Sequence, residues 1–165
     1  MRNLIASVFF MASTVVSAAS IPNYDFPLKN GANRDDVYKM SEHPNTVFVF
    51  EAWGISCGYC HENASAVDAM AAECASNSRV QIIDMGLDSD DSSYQEWIAR
   101  HSPNHPVIQD TGRRVYNALK TSSGIPQVFI VDCNGKMVGN HVGTWGGSTS
   151  TIRGYINSAL STVCH

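Results

Sequence analysis

The sequence predicts an α/β fold in which a mixed sheet lies between two layers of helix. Two apolar runs, at residues 47–53 and 80–87, indicate buried strands because they are short, continuous and bounded by polar segments. A third signal is Asp132-Cys133-Asn134-Gly135, a turn sequence typical of a hairpin between two further strands. Helical patterns alternate with these strands, and the predicted order along the chain is β-α-β-α-α-β-β-α.

The N-terminal half contains two of the strands and the longest helix. Residues 21–45 are rich in Pro, Asn and Asp and are expected to be irregular, with a short helix at 34–40. The strands at 47–53 and 80–87 enclose a helix at 58–75, where small and apolar side chains recur at helical spacing. These side chains are Ala64, Val67, Met70, Ala71 and Cys74.

The C-terminal half contributes the remaining elements. Short helices are predicted at 92–100 and 112–120, with Ser92 and Thr111 near their starts. Strands at 127–131 and 136–142 form the hairpin, because a turn signal separates two apolar segments. A helix at 148–160 closes the chain.

The chain has 165 residues, enough for one domain with a substantial core. Residues 1–19 have the pattern of a secretory signal peptide, with an early Arg2, an apolar stretch and small residues before a cleavage site after Ala18 or Ala19. Residues 20–165 are then expected to form a single exported domain, periplasmic in a bacterium. An uncleaved membrane anchor is the alternative.

Charge limits the classes of partner. The formal net charge is −4, and the sequence contains no basic cluster. Nucleic acids and anionic membrane surfaces attract basic patches, so neither is an expected partner.

Cys57-Gly58-Tyr59-Cys60 follows the first strand and opens the predicted helix. Amide groups at a helix N-terminus favour a nearby negative charge, so the first thiol should ionise readily. We expect Cys57 to attack as a thiolate and Cys60, one turn inside the helix, to resolve the mixed disulfide. His61 follows directly and is expected to modulate the thiolate.

The same motif has two alternative interpretations. A zinc site needs two further ligands, and the sequence contains no second CxxC or paired His/Cys spacing, so no metal is predicted. Cys57-x-x-Cys60-His61 is also the attachment pattern of c-type haem. Small cytochromes are mostly helical, whereas this motif follows an apolar strand. Thiol chemistry is therefore favoured, and a small exported haem protein is the alternative.

Four features carry a resemblance to the thioredoxin superfamily over nearly all of residues 20–165. They are the apolar strand, the CxxC, Gly124-Ile125-Pro126 before a strand, and Gly143 after the hairpin. The resemblance implies a thioredoxin-like three-layer fold with a mixed central sheet and a helical insertion before the strand that follows Pro126. It also implies that the Ile125–Pro126 bond is cis.

Two parts of the chain resemble different branches of that superfamily. Pro106-Val-Ile-Gln-Asp110, followed by a helix and the Gly-Ile-Pro strand, is similar to the exported TlpA/ResA type, as is the opening Tyr24-Asp-Phe-Pro-Leu-Lys-Asn-Gly31. Cys-Gly-Tyr-Cys-His is similar to the active site of DsbC-type disulfide isomerases. The body therefore favours a reductant, and the active-site dipeptide favours an isomerase.

The resemblance also implies roles for individual residues. Glu51 would take and return the proton of Cys60, although an exposed strand position is the alternative for this acid. Trp145 is expected to be either a platform for the client or a buried core residue. The residues expected to contact a client are Trp53, Tyr59, Ile125, Pro126 and Gly143. Core packing is the alternative for Trp53 and is compatible with covering the active site.

Three further cysteines remain outside the CxxC, namely Cys74, Cys133 and Cys164. In this topology all three should lie at the pole opposite the CxxC. A structural bridge between Cys133 and Cys164, or between Cys74 and Cys164, is expected to hold the C-terminus.

Other polar residues are expected to have no role in the chemistry. His101 and His105 flank Pro103, which disfavours a common helical face, so both are interpreted as surface-loop residues. Asp88-Ser-Asp-Asp91 lacks the glycine and terminal glutamate of a calcium loop and is interpreted as a solvated loop.

These observations together predict an exported, monomeric thiol–disulfide oxidoreductase that acts on cysteine-containing proteins as a reductant or isomerase. No organic cofactor or metal is predicted. A membrane redox partner of the DsbD or DsbB type is expected. A non-catalytic thioredoxin-like binding module is a further alternative to the haem protein.

Overall fold

The structure is a computed structural model that describes residues 19–165. The strands are β1 (Asp25–Pro27), β2 (Val37–Lys39), β3 (Val47–Trp53), β4 (Val80–Gly86), β5 (Val107–Gln109), β6 (Gln127–Val131) and β7 (Met137–Val142). The helices are α1 (Gly58–Cys74), α2 (Asp91–His101), α3 (Arg114–Leu119) and α4 (Thr149–Leu160).

A five-stranded mixed sheet forms the centre of the fold, in the order β5-β4-β3-β6-β7. β3 and β4 pair in parallel, as do β4 and β5, whereas β6 is antiparallel to both β3 and β7. The predicted thioredoxin-like fold with a mixed sheet is thus confirmed. Helices α2 and α3 form the predicted insertion before β6.

β3 is buried along its whole length because both faces of the sheet are covered. One face packs against α1 and α4, and the other packs against α3 and the hairpin of β1 and β2. The first cluster contains Val47, Val49, Val67, Met70, Ile152 and Ile156. The second contains Phe26, Tyr38, Phe48, Phe50, Val115 and Tyr116.

The structure differs from the predicted elements in three places. The expectation of an irregular segment at 21–45 with a short helix at 34–40 is wrong, because Asp25–Pro27 and Val37–Lys39 are the antiparallel strands β1 and β2, and Tyr38 is buried in the core. β5 has only three residues and was not predicted as a strand. The helix predicted at 112–120 begins later, at Arg114, because Gly112 and Arg113 both have positive φ (71° and 55°).

The described chain is held at both ends by the β6–β7 turn. Ala19 O accepts a hydrogen bond from Met137 N, and Ile21 N donates to Gly135 O, each at 2.8 Å. Residues 1–18, most of the predicted signal peptide, lie outside the described residues. Within residues 19–165, no helix combines the length and apolar character needed to cross a membrane.

Cys133 and Cys164 form a disulfide, with their Cα atoms 5.6 Å apart. Cys74 is a free, half-buried thiol. Asn134 also ties the β6–β7 turn to the C-terminus, since its Nδ2 donates to Val163 O at 2.8 Å and its Oδ1 accepts from His165 N at 2.9 Å. Of the two pairings left open by the sequence, the structure has the one between Cys133 and Cys164.

Candidate active site

The CxxC motif lies where β3 leaves the sheet and α1 begins. Cys57 is the N-cap residue of α1, and Cys60 N donates to Cys57 Sγ at 3.2 Å. The two cysteines form a disulfide with their Cα atoms 5.2 Å apart. Cys57 is half-buried, whereas Cys60 is 1% exposed. An incoming thiol or disulfide can therefore reach only the sulfur of Cys57.

A loop before β6 lies against Cys57. The Ile125–Pro126 peptide bond is cis, and Ile125 O lies 3.7 Å from Cys57 Sγ. Gly143 N donates to Pro126 O at 2.9 Å, and its φ of 97° favours glycine because it has no Cβ. The structure therefore brings Cys57, Ile125, Pro126 and Gly143 together. Tyr59, between the cysteines, is 64% exposed and is free to contact another molecule.

Glu51 is fully buried in β3 and does not occupy an exposed strand position. Its Oε1 accepts from Asn63 Nδ2 at 3.0 Å, and its Oε2 accepts from Trp145 Nε1 at 2.8 Å. Burial raises the pKa of the Glu51 carboxyl to about 8, and the charge of nearby Asp84 adds to the increase. The two hydrogen bonds act in the opposite direction. Glu51 can therefore exchange a proton near neutral pH.

Trp145 is fully buried, so the structure excludes the interpretation of this residue as a client platform. Trp53 is also fully buried, which corrects the expectation that it contacts a client. Its ring stacks on Trp97 at a centroid distance of 4.0 Å and meets Tyr94 edge-on at 5.3 Å. Trp53 supports the CxxC from beneath, in the same cluster as Cys60.

Asp84 of β4 is a second buried acid beside Glu51, with which it is in register. Its Oδ2 accepts from Trp97 Nε1 at 2.8 Å, and its Oδ1 lies 3.3 Å from His105 Nε2. His105 Nδ1 lies 3.3 Å from Asp68 Oδ1. The interpretation of His105 as a surface residue is therefore wrong. His105 is 8% exposed and lies between the carboxyl groups of Asp68 and Asp84.

His101 ends α2 and contacts the residue that follows the CxxC. His61 Nε2 lies 2.8 Å from Ile55 O, so this nitrogen carries a hydrogen, and His61 Nδ1 lies 2.7 Å from His101 Nε2. Burial lowers the pKa of His101, and repulsion from His61 lowers it further. The interpretation of His101 as a surface-loop residue is corrected, because it is half-buried and lies in α2.

The loop at 88–91 is structured and reaches the active site. Asp88 Oδ2 accepts from Ile55 N at 2.7 Å, two residues before Cys57. Asp90 is the N-cap of α2, and hydrogen bonds from Ser92 and Ser93 lower the pKa of its carboxyl to about 2. The interpretation of this run as a solvated loop is corrected for Asp88, which binds the backbone of the turn before Cys57, whereas Ser89, Asp90 and Asp91 are exposed.

Asn63, Asp84 and His105 were not among the predicted site residues. A detectable signal existed for Asn63, because it is a polar residue among the apolar positions of α1. Asp84 similarly interrupts the apolar run of β4. Within residues 19–165, no cluster of three or more His, Cys, Asp or Glu side chains is placed to hold a metal ion.

Solved structures with the same fold include several redox proteins. A Chlorobium tepidum protein described as a thiol:disulfide interchange protein DsbE is 24% identical, with a TM-score of 0.72. The match covers 88% of this chain and 98% of the C. tepidum chain. A second C. tepidum protein, a thiol:disulfide interchange protein of the thioredoxin family, is 14% identical, with a TM-score of 0.70. The match covers 87% of this chain and 97% of the C. tepidum chain.

A thiol-disulfide isomerase from Corynebacterium glutamicum is 15% identical, with a TM-score of 0.68. The match covers 88% of this chain and 98% of the isomerase chain. At these identities the likeness concerns the fold. No curated protein matches the chain. The family model described as AhpC/TSA matches residues 20–139, which is most of the chain. The chain therefore belongs to the AhpC/TSA family.

Proposed function

We propose that this chain is a thiol–disulfide oxidoreductase that exchanges the Cys57–Cys60 disulfide with cysteine-containing client proteins. The observation that carries the proposal is the disulfide itself, at the start of α1, with a half-buried Cys57 and a buried Cys60. Asymmetric access of this kind gives the two sulfurs different roles, attack and resolution.

In the reducing direction, the Cys57 thiolate attacks one sulfur of a client disulfide. A Cys57–client disulfide forms, and the other client sulfur leaves as a thiolate that takes a proton from water. Glu51 then accepts the proton of Cys60. The Cys60 thiolate attacks Cys57 Sγ, the client's second sulfur leaves, and two electrons have passed from the cysteine pair to the client.

The groove beside Cys57 suits an extended client segment. Ile125 O lies 3.7 Å from Cys57 Sγ, so the backbone of residue 125 can face an added strand, and Gly143, just after β7, would form another wall of the groove. The exposed ring of Tyr59 would contact side chains next to the client cysteine. Pro126 is buried and would act by shaping the loop rather than by contact.

Export and cellular role are part of the proposal. We expect residues 1–19 to be removed and residues 20–165 to act as one exported domain, periplasmic in a bacterium and monomeric. The TlpA/ResA-like body favours a reductant that is reloaded by a DsbD-type membrane partner. The DsbC-like Cys-Gly-Tyr-Cys favours an isomerase, and a DsbB-type partner would instead serve an oxidant. The sheet-based fold argues against the haem alternative, for which a mostly helical fold was expected.

The test is the reduction potential of the Cys57/Cys60 pair in glutathione buffers. A potential near that of thioredoxin, about −270 mV, would indicate a reductant. A potential toward that of DsbA, about −120 mV, would indicate an oxidant or isomerase. A pair that does not titrate reversibly would exclude thiol–disulfide exchange and favour an inert binding module.

A further inference from the structure

We propose that Asn63 is a positioning residue for proton transfer at Cys60. In this role its amide holds the Glu51 carboxyl in one orientation and joins it to the loop that carries Gly143 and Trp145. The inference rests on the function proposed above, since it assigns Asn63 a part in the same reaction.

The burial of Asn63 requires an explanation. The side chain is 2% exposed and lies on a face of α1 that otherwise buries apolar groups. An amide costs free energy in such a place unless its hydrogen bonds are satisfied, whereas an aliphatic residue would not. The polar contacts of Asn63 are therefore the feature that distinguishes it from its neighbours Ala64 and Val67.

Asn63, Trp145 and Glu51 form a closed ring of hydrogen bonds. Asn63 Nδ2 donates to Glu51 Oε1 at 3.0 Å, Trp145 Nε1 donates to Glu51 Oε2 at 2.8 Å, and Trp145 N donates to Asn63 Oδ1 at 2.8 Å. The backbone amide of Trp145 can only donate, so it fixes Asn63 Oδ1 on its own side. Asn63 Nδ2 must then face Glu51.

The ring restricts where Glu51 can place its proton. Asn63 Nδ2 and Trp145 Nε1 are donors only, so neither can accept a hydrogen bond from the protonated carboxyl. The acid O–H must therefore point away from both. Cys60 is one helical turn before Asn63 on the same face of α1, and its sulfur is buried with the other groups beneath the CxxC. In the mechanism proposed above, the group toward which this O–H turns is the Cys60 sulfur.

The same amide connects Glu51 to the client groove. Asn63 Nδ2 also lies 3.4 Å from Gly143 O, and Gly143 N donates to Pro126 O at 2.9 Å. Hydrogen bonds to a charged carboxylate are stronger than those to a neutral acid. The loop is therefore held most firmly when Glu51 is ionised, the state that can accept the proton of Cys60.

Other titratable groups face Glu51 from the elements around it. Asp84 of β4 is in register with Glu51, and His141 of β7 lies two strands away through Val128 of β6. Cys60 belongs to α1. All three groups are retained when Asn63 alone is changed. A difference in the Glu51 titration between variant and wild type therefore reports the loss of the Asn63 amide.

The first measurement is a pH titration of Glu51 in the oxidised protein, monitored through the ¹³C NMR signal of its carboxyl carbon. The Glu51→Gln variant assigns that signal. Asn63→Leu removes the amide and keeps a similar volume, and Asn63→Ala avoids overpacking if the leucine variant does not fold. Trp145→Phe removes the donor to Oε2 alone. Asn140→Leu is the matched control, because Asn140 Nδ2 donates to Thr121 Oγ1 outside the site.

Asn63→Leu is expected to raise the midpoint of Glu51 by one pH unit or more, a tenfold fall in the ionised fraction at neutral pH. Trp145→Phe should raise it too, and Asn140→Leu should not. The second measurement is the rate at which Cys60 resolves a Cys57–glutathione disulfide across pH 5–9. Its rise with pH should move by the same amount, since a purely structural defect would lower the rate without moving the profile.

Each outcome decides between the two proposals. An unchanged Glu51 midpoint in a folded Asn63 variant would overturn the inference, as would a shifted midpoint with an unshifted rate profile. If Glu51→Gln resolves the mixed disulfide at the wild-type rate, the role of Glu51 itself is wrong. Failure of wild-type Cys57 to form a mixed disulfide would instead reject the proposed function.

Discussion

Glu51 and Trp145 are 94 residues apart in the chain, yet the Trp145 indole N–H donates to the Glu51 carboxyl at 2.8 Å. The contact joins the central strand β3 to the loop before α4. It leaves a carboxylic acid inside the core, where burial raises its pKa to about 8. The first prediction follows from this acid.

Glu51→Gln should remove a pH dependence of the free energy of unfolding. The carboxyl pKa is about 8 in the folded protein, whereas an exposed glutamate has a pKa of 4.5, so the folded state binds more protons between these values. Wild-type stability is then fully present below pH 4.5 and is lost as pH rises toward 8, by on the order of 4 kcal/mol. Urea unfolding of the oxidised wild-type and variant proteins at pH 5 and pH 8 measures this change in the free energy of unfolding. Equal pH dependence in both proteins would contradict the assignment.

The two active-site cysteines should differ in their effect on exchange. Cys60→Ser leaves the accessible sulfur and removes the resolving one, so a Cys57–client disulfide should accumulate and persist. Cys57→Ser should form no such adduct, because Cys60 is 1% exposed. Non-reducing electrophoresis and mass spectrometry with a disulfide-containing client peptide distinguish the two variants. An adduct of comparable yield on Cys60 in the Cys57→Ser protein would mean that the order of attack is wrong.

His101→Gln should affect stability on the acid side, with a sign opposite to that of Glu51. Burial and His61 lower the pKa of His101 in the folded protein, so the unfolded state takes up its proton first as pH falls below 6.5. Wild-type stability is therefore lost as pH falls below 6.5, and the glutamine variant should lose less of it. A His101→Gln variant with the same acid-side pH dependence as wild type would contradict this prediction.

Cys133→Ser with Cys164→Ser should weaken the fold without altering the redox centre. The bridge closes a loop with a sequence separation of 31 residues, and a disulfide over such a loop contributes roughly 4 kcal/mol. Thermal and urea unfolding measure the loss, and glutathione equilibration should show an unchanged potential of the Cys57/Cys60 pair. Cys74→Ser serves as the control, since Cys74 is a free thiol. A shifted active-site potential would show that the two disulfides are coupled.

The sequence alone determined the central strands, the CxxC at the start of α1 and the loop at Ile125–Pro126. These features are local: a continuous apolar run indicates a strand buried on both faces, and a motif between strand and helix marks its own position. Short elements were not determined in this way. β2 and β5 have three residues each, and their existence depends on pairing with distant strands rather than on their own composition.

Only the tertiary structure decided which polar groups meet. Asn63 and Trp145 are 82 residues apart, and His61 and His101 are 40 apart, so no spacing in the sequence connects them. The same holds for the choice of Cys133 as the partner of Cys164. The physical reason is that periodicity reports whether a side chain is buried, whereas a buried polar side chain is stable only beside a complementary group, which chain closure supplies.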